Sequence, residues 1–306
     1  MSHLFILNEA SMADLLGQHA DGVEATGRQQ WQFHLGRGAD LDASLRMERG
    51  WLQVSAPLEG DWPKAGPGGT CELSDDRLQS TLAANAWIAG GVKFVLADDP
   101  PRPLLAAEIP LVAEDDFDID DRVGQLCQGL RQGVRQWRRP TTEAASPSDN
   151  GDRPATDAER SFEEACREAG WTISRRSNGR LAVRLDVREA FYQAEVEPSD
   201  EGCRLCVALG QSVPEADVCR RAAELLLLRA CGVVRMAAAT IVPGDAAWQF
   251  RWEATLGNAS RPQEWHHALS ALTIACQTTA LELGALDDPV LAEAYLQLRE
   301  TGRISP

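Results

Sequence analysis

The chain has 306 residues, 44 % of them apolar and 25 % charged, with a formal net charge of −16 at pH 7. That length has room for two separate cores. Acidic residues outnumber basic ones 23 to 13 over residues 1–150 and 23 to 17 beyond, which excludes a binder that neutralises nucleic-acid phosphates. No apolar run approaches the roughly 20 residues that span a bilayer. Met1–Ala10 lacks the basic start and long apolar stretch of a secretory signal. Eight cysteines are too sparse for a disulfide scaffold, and most sit in apolar rows as buried thiols do. The expectation is a cytoplasmic protein with no membrane partner.

In chain order, the pattern predicts a helix over Ser11–His19 and a strand carrying Trp31, Phe33 and Leu35. A hairpin of Leu41–Glu48 and Trp51–Leu58 follows, then a helix over Asp75–Gly90 that stops at a double glycine. Strands at Val92–Leu96 and Leu104–Leu111 lead to a helix striped by Ile119, Val123, Leu126, Leu130, Val134 and Trp137. Pro140 to Pro154 has no apolar period and reads as a flexible linker.

Beyond it, Ser161 and Glu164 suggest a capping box opening a short helix with Phe162, Ala165, Cys166 and Ala169. Asn178-Gly179 turns the chain into a strand at Leu181–Val187, followed by strands at Phe191–Glu197 and Cys203–Leu209. Pro214 opens a helix through Cys231, with Gly232 as its C-cap. Strands Val234–Val242 and Trp248–Leu256 come next, with Val234-Arg235-Met236 placed like Val92-Lys93-Phe94. A long helix begins near Pro262, and an amphipathic segment, Val290–Leu298, closes the sequence.

The long helix carries Trp265, Leu269, Leu272, Cys276, Ala280 and Leu283, the same +4, +3, +4, +4, +3 stepping as the first stripe, 146 residues later. Two matching stripes, each closing a half of similar length, indicate a tandem duplication. The expected fold is α+β: two α-β-β-β-α-β-β-α units with antiparallel sheets and helices packed on them, forming a pseudo-dimer. The units span residues 1–139 and 158–286, joined by a linker over 140–157, with an extra helix and tail at 287–306.

Catalytic chemistry finds little support. There is no Gly-x-Ser-x-Gly elbow, no phosphate-binding loop and no His-Glu-x-x-His pair. Cys203 and Cys206 sit three apart on a strand and so face opposite sides, which does not suit a shared metal. His266 and His267 are adjacent on a helix and lack the four-residue spacing of a metal pair. The acidic run from Glu114 to Asp121 suits the positive pole of the helix it opens, with Arg131, Arg135, Arg138 and Arg139 at the other end. No enzyme, metal or cofactor is expected. Nine tryptophans are many for this length. Core packing accounts for most, but Trp31, Trp51, Trp248, Phe250 and Trp252 are candidates to face a partner, as aromatic rows on a sheet do when an extended segment docks.

The element order, the acidity and the duplication together resemble class I type III secretion chaperones and the wider YbjN-like group that shares their fold. The resemblance covers residues 10–285 and rests on no sequence fingerprint. It implies a non-catalytic protein that holds an extended segment of a client protein on apolar patches, with a dimer contact through the central helix. Here that helix is Asp75–Gly90 in one copy and Glu215–Cys231 in the other, and the contact residues are Trp87, Ile88, Leu225, Leu226 and Leu228. Two fused copies imply a chain that is monomeric as a pseudo-dimer. The alternative from the same fold is a regulatory or scaffold protein in signalling.

Overall fold

The computed structural model of the protein describes residues 9–36, 38–58, 74–86, 88, 91–98, 101–111, 119–138, 157–175, 180–188, 190–199, 202–244, 247–257 and 260–301. The first unit runs α1 (Glu9–His19), β1 (Asp21–Gly27), β2 (Gln30–Leu35), β3 (Leu41–Glu48), β4 (Trp51–Pro57), α2 (Asp75–Asn85), β5 (Lys93–Asp98), β6 (Pro101–Pro110) and α3 (Ile119–Arg138). The second runs α4 (Asp157–Ala169), β7 (Ile173–Arg175), β8 (Leu181–Val187), β9 (Ala190–Ser199), β10 (Gly202–Ser212), α5 (Asp217–Val233), β11 (Ala238–Pro243), β12 (Trp248–Gly257) and α6 (Pro262–Ala285). A last helix, α7 (Pro289–Thr301), packs on α5.

The duplication holds at the level of register. The sheets are ordered β1-β2-β3-β4-β6-β5 and β7-β8-β9-β10-β12-β11, with every pairing antiparallel. In the first, Gln32, Ser44, Ser55, Ala106 and Lys93 form one cross-strand row. In the second the matching row is Ala182, Glu195, Cys206, Glu253 and Ala238. One face of each sheet takes the striped helix. Val123, Leu126, Leu130, Val134 and Trp137 of α3 are buried, as are Trp265, Leu269, Leu272, Cys276 and Leu283 of α6. Ile119 and Ala280, from the same stripes, are half-buried.

Several expectations are corrected. Each unit has four strands before its central helix rather than three, because β1 and β7 add an edge to each sheet. Ser161 does not cap α4, which starts four residues earlier; its hydroxyl instead donates to Ser260 O at 3.1 Å. Helix α2 ends earlier than expected, at Asn85, whereas α5 is displaced rather than shortened: it runs Asp217–Val233, so Gly232 lies inside the helix and Val234, not Gly232, is its C-cap. Val234-Arg235-Met236 is a bend, and β11 begins only at Ala238. Met236 there has a φ of +59°, where Gly91 at the equivalent bend of the first unit has +69°. Residues 139–156, including the Pro140–Pro154 stretch, lie outside the described residues, as do Asn178-Gly179 and Gly90, the first of the two glycines expected to stop α2.

The two units meet reciprocally. Helix α5 lies on β5, the edge strand of the first sheet, and α2 lies on β11, the edge strand of the second. The two helices also touch each other. This is the arrangement of an isologous dimer built within one chain, and it covers two sheet edges that would otherwise invite foreign strands. The equivalent buried or half-buried rows are Asp75, Leu78, Leu82 and Asn85 on α2 and Arg221, Glu224, Leu228 and Cys231 on α5, each stepping +3, +4, +3. Asp75 and Arg221 are equivalent positions, 146 residues apart, and they pair with each other. A residue meets its own counterpart only at a symmetry axis, so this pair marks the pseudo-two-fold.

Of the residues expected at this contact, Leu228 shares the face of Glu224 and Cys231. Leu226 is buried on the opposite stripe with Cys219, Ala222 and Ala223. Leu225 is half-buried, Ile88 is buried, and Trp87 lies outside the described residues.

Candidate binding site at the junction of the units

Polar groups buried at the junction are matched across it. Asn85 Nδ2 donates to Ala239 O of β11 at 3.0 Å, and its Oδ1 accepts Phe94 N–H at 2.7 Å. In the other copy Cys231 replaces the amide, and its Sγ accepts Ala239 N–H at 3.1 Å. Lys93 crosses from β5 to the end of α5, donating to Val234 O and, at 3.3 Å, to Ala237 O. Its third partner is Glu108 Oε2, 3.1 Å away. A helix end leaves carbonyls unpaired, so this buried ammonium gives two hydrogen bonds to the segment just beyond the other unit's helix, and its contact with Glu108 is an ion pair.

Above these groups a cavity of about 330 Å³ opens on the pseudo-two-fold. Its walls come in equivalent pairs: Glu108, Ile109 and Pro110 at the end of β6 face Thr255, Leu256 and Gly257 at the end of β12, and Gly91 matches Met236. The first turns of α3 and α6 close it. There Arg122 donates to Glu264 Oε2 at 2.7 Å, and the same oxygen accepts Arg261 N–H at 2.8 Å. Ser260 Oγ is buried here without a hydrogen-bond partner. With Arg122 matched to Glu264 and Lys93 to Glu108, the cleft is close to electroneutral despite the acidity of the whole chain.

Beside the cleft runs a row of rings. Trp51 of β4 meets His267 edge-on with centroids 5.3 Å apart; His267 lies 6.4 Å from His266, and His266 lies 6.4 Å from Trp171. Arg235 caps the row 4.9 Å from the Trp51 ring. These spacings are those of productive aromatic contacts, and the row crosses from the first unit into the second. Partial burial, and secondarily the neighbouring His266, hold the His267 pKa below its usual value.

From His266 the outward face of α6 continues through Ser270, Ile274, Gln277, Thr278 and Leu281. Residues 265–281 contain no Asp, Glu, Lys or Arg. Ile274 is 51 % exposed and Leu281 69 %. The equivalent positions of α3 are Gln128 and Arg135. The same helix in the same place is therefore polar in one copy and apolar in the other.

The five aromatics expected to face a partner separate into two groups. Trp31, Phe250 and Trp252 are core residues with at most 1 % exposure, so as surface contacts they are corrected: their strand faces point at helices. Trp252 Nε1 donates to Thr279 Oγ1 at 3.1 Å, inside the second unit. Trp51 is half-buried in the ring row, and Trp248 is 38 % exposed. Cys203 and Cys206 are both buried on β10; burial, and secondarily the Glu253 carboxylate, keep the Cys206 thiol protonated. Of the other histidines among the described residues, His19 pairs with Asp120 at 3.1 Å, and His34 with Asp42 at 2.9 Å and Asp40 at 3.7 Å. No cluster of three metal-ligating side chains occurs among the described residues.

A second, shallow hollow of about 480 Å³ lies on the far face of the second sheet, around Phe191, Glu195, Glu197, Cys206 and Arg251. Its charges are consumed internally: Arg180 and Arg251 converge on Glu197, and Arg204 and Arg251 on Glu253. Among the described residues no single helix is long and apolar enough to cross a membrane. The sequence matches no protein-family model and no curated protein.

Proposed function

We propose that the protein is a non-catalytic binding module that holds an extended segment of a client polypeptide, in the manner of a secretion chaperone. The observation that carries this reading is the uncharged outward face of α6, continuous with the ring row that ends at Trp51. In a chain of net charge −16, a helix face without one carboxylate or ammonium over 17 residues is the place where an apolar segment meets least resistance. Trp and His rings beside aliphatic side chains are the composition of interface anchors. Acidity elsewhere keeps copies of the protein apart while that face stays open.

The test is recovery of a tagged protein from its native cells beside the double variant Ile274→Arg/Leu281→Arg. A client polypeptide should accompany the native protein in stoichiometric amount and be lost from the variant. Limited proteolysis of the complex should cut the client freely on both sides of one protected stretch. A bound partner that is compact and resistant throughout supports a scaffold or regulatory role instead. Equal recovery by both proteins places binding elsewhere, and no partner at all removes the reading.

A further inference from the structure

The two copies serve as an internal alignment, and their sharpest divergence at the axis is a carboxyl group. Position 78 of α2 is leucine, buried as the contact requires; its equivalent on α5 is Glu224, which is 0 % exposed. No hydrogen bond reaches either Glu224 oxygen. The groups facing it are few. Asp75 approaches from α2 with like charge, while Arg220 and Arg221 stand one turn back on its own helix. Both arginines are committed, Arg220 to Asp217 and Arg221 to Asp75. Lys93 of β5 sits further along, beside Cys231, held by Glu108 and two carbonyls. On the α7 side Tyr295 faces Arg229 and Arg299 rather than Glu224.

An unpaired carboxylate in such a place is costly, and a neutral carboxylic acid is tolerated. Burial, opposed only in part by Arg220, pushes the Glu224 pKa up to about 8. Water restores its ordinary value near 4.5 once the contact opens.

We infer that Glu224 is a proton-operated latch between the two units: protonated, it lies closed against α2, and on giving its proton to solvent it favours the separation of α5 from α2. The sign follows from linkage. The closed state holds a proton that the open state has lost between pH 4.5 and about 8, so the opening constant rises by about tenfold per pH unit in that window. Below it the latch adds nothing, and above it opening levels off.

The experiment is hydrogen exchange of the full chain from about pH 5.5 to about pH 9, bracketing the upper part of that window. Rates are corrected for intrinsic exchange and read as opening constants for the amides of α2 and α5. Glu224→Gln and Glu224→Leu are measured alongside, the second restoring the residue found at position 78. The native chain should open more readily as pH rises to about 8, while both variants stay flat. A residue serving only to fill space would shift the opening constant equally at every pH. The same pH slope in native and variant chains, or a flat native profile, overturns the latch. Should Glu224→Leu fail to fold, Glu224→Gln decides alone, since it keeps the shape and removes the titration.

Discussion

Asn85 shows how much one side chain settles at the junction. Its amide joins two sheets, accepting from Phe94 N–H of its own unit and donating to Ala239 O of the other. Asn85→Ala leaves a buried donor and a buried acceptor unmatched, so it should cost about 2–3 kcal/mol in a urea titration with the slope unchanged. A loss under about 0.5 kcal/mol would mean that water replaces the amide. Nothing in the sequence singles out Asn85, because its role appears only when a strand 154 residues away is placed beside it. Met236 is similarly silent. A left-handed bend normally announces itself with glycine, as Gly91 does in the first copy, but the second copy uses a bulky residue there.

Helices and strands that bury one regular face were legible, and those held by backbone pairing alone were not. The stripes of α3 and α6 and the strand alternation of β3, β8 and β10 read directly, since burial on one side imposes their period. Strand β1, with Asp21, Glu24 and two glycines, hides no apolar row and exists by pairing with β2; β7 is only three residues long. The cleft was out of reach because it joins residues 91, 108 and 122 to residues 236, 256 and 264. Adjacent spacing makes His266 and His267 poor metal ligands, and the structure shows them as ring partners. The same non-local geometry makes the first turns of α3 and α6 interdependent. Arg122→Ala takes the guanidinium away from the buried Glu264 carboxylate, which should cost about 3 kcal/mol. Adding Glu264→Gln should recover part of that loss. Additive effects of the two substitutions would show that the pair is not coupled.

At the scale of the whole molecule, fusing two copies has freed them to differ, and the differences make each the complement of the other. A dimer of identical first units would set Asp75 against Asp75 across its axis, and one of identical second units would set Arg221 against Arg221. The fused chain places Asp75 against Arg221. Single reversals in the full chain recreate the forbidden pairings. Asp75→Arg should destabilise it by about 1 kcal/mol, a modest figure because both side chains keep partial contact with solvent. Arg221→Asp should cost about the same near pH 7, where the protonated Glu224 carries no charge for the change to act on, and more only above about pH 8. The double reversal restores an opposite-charge pair, so urea midpoints should return most of the way to native, with high salt shrinking all three differences. Losses that simply add in the double variant would show that the axis pair does not select one half for the other, leaving apolar burial and the Asn85 and Lys93 crossings to hold the pseudo-dimer together.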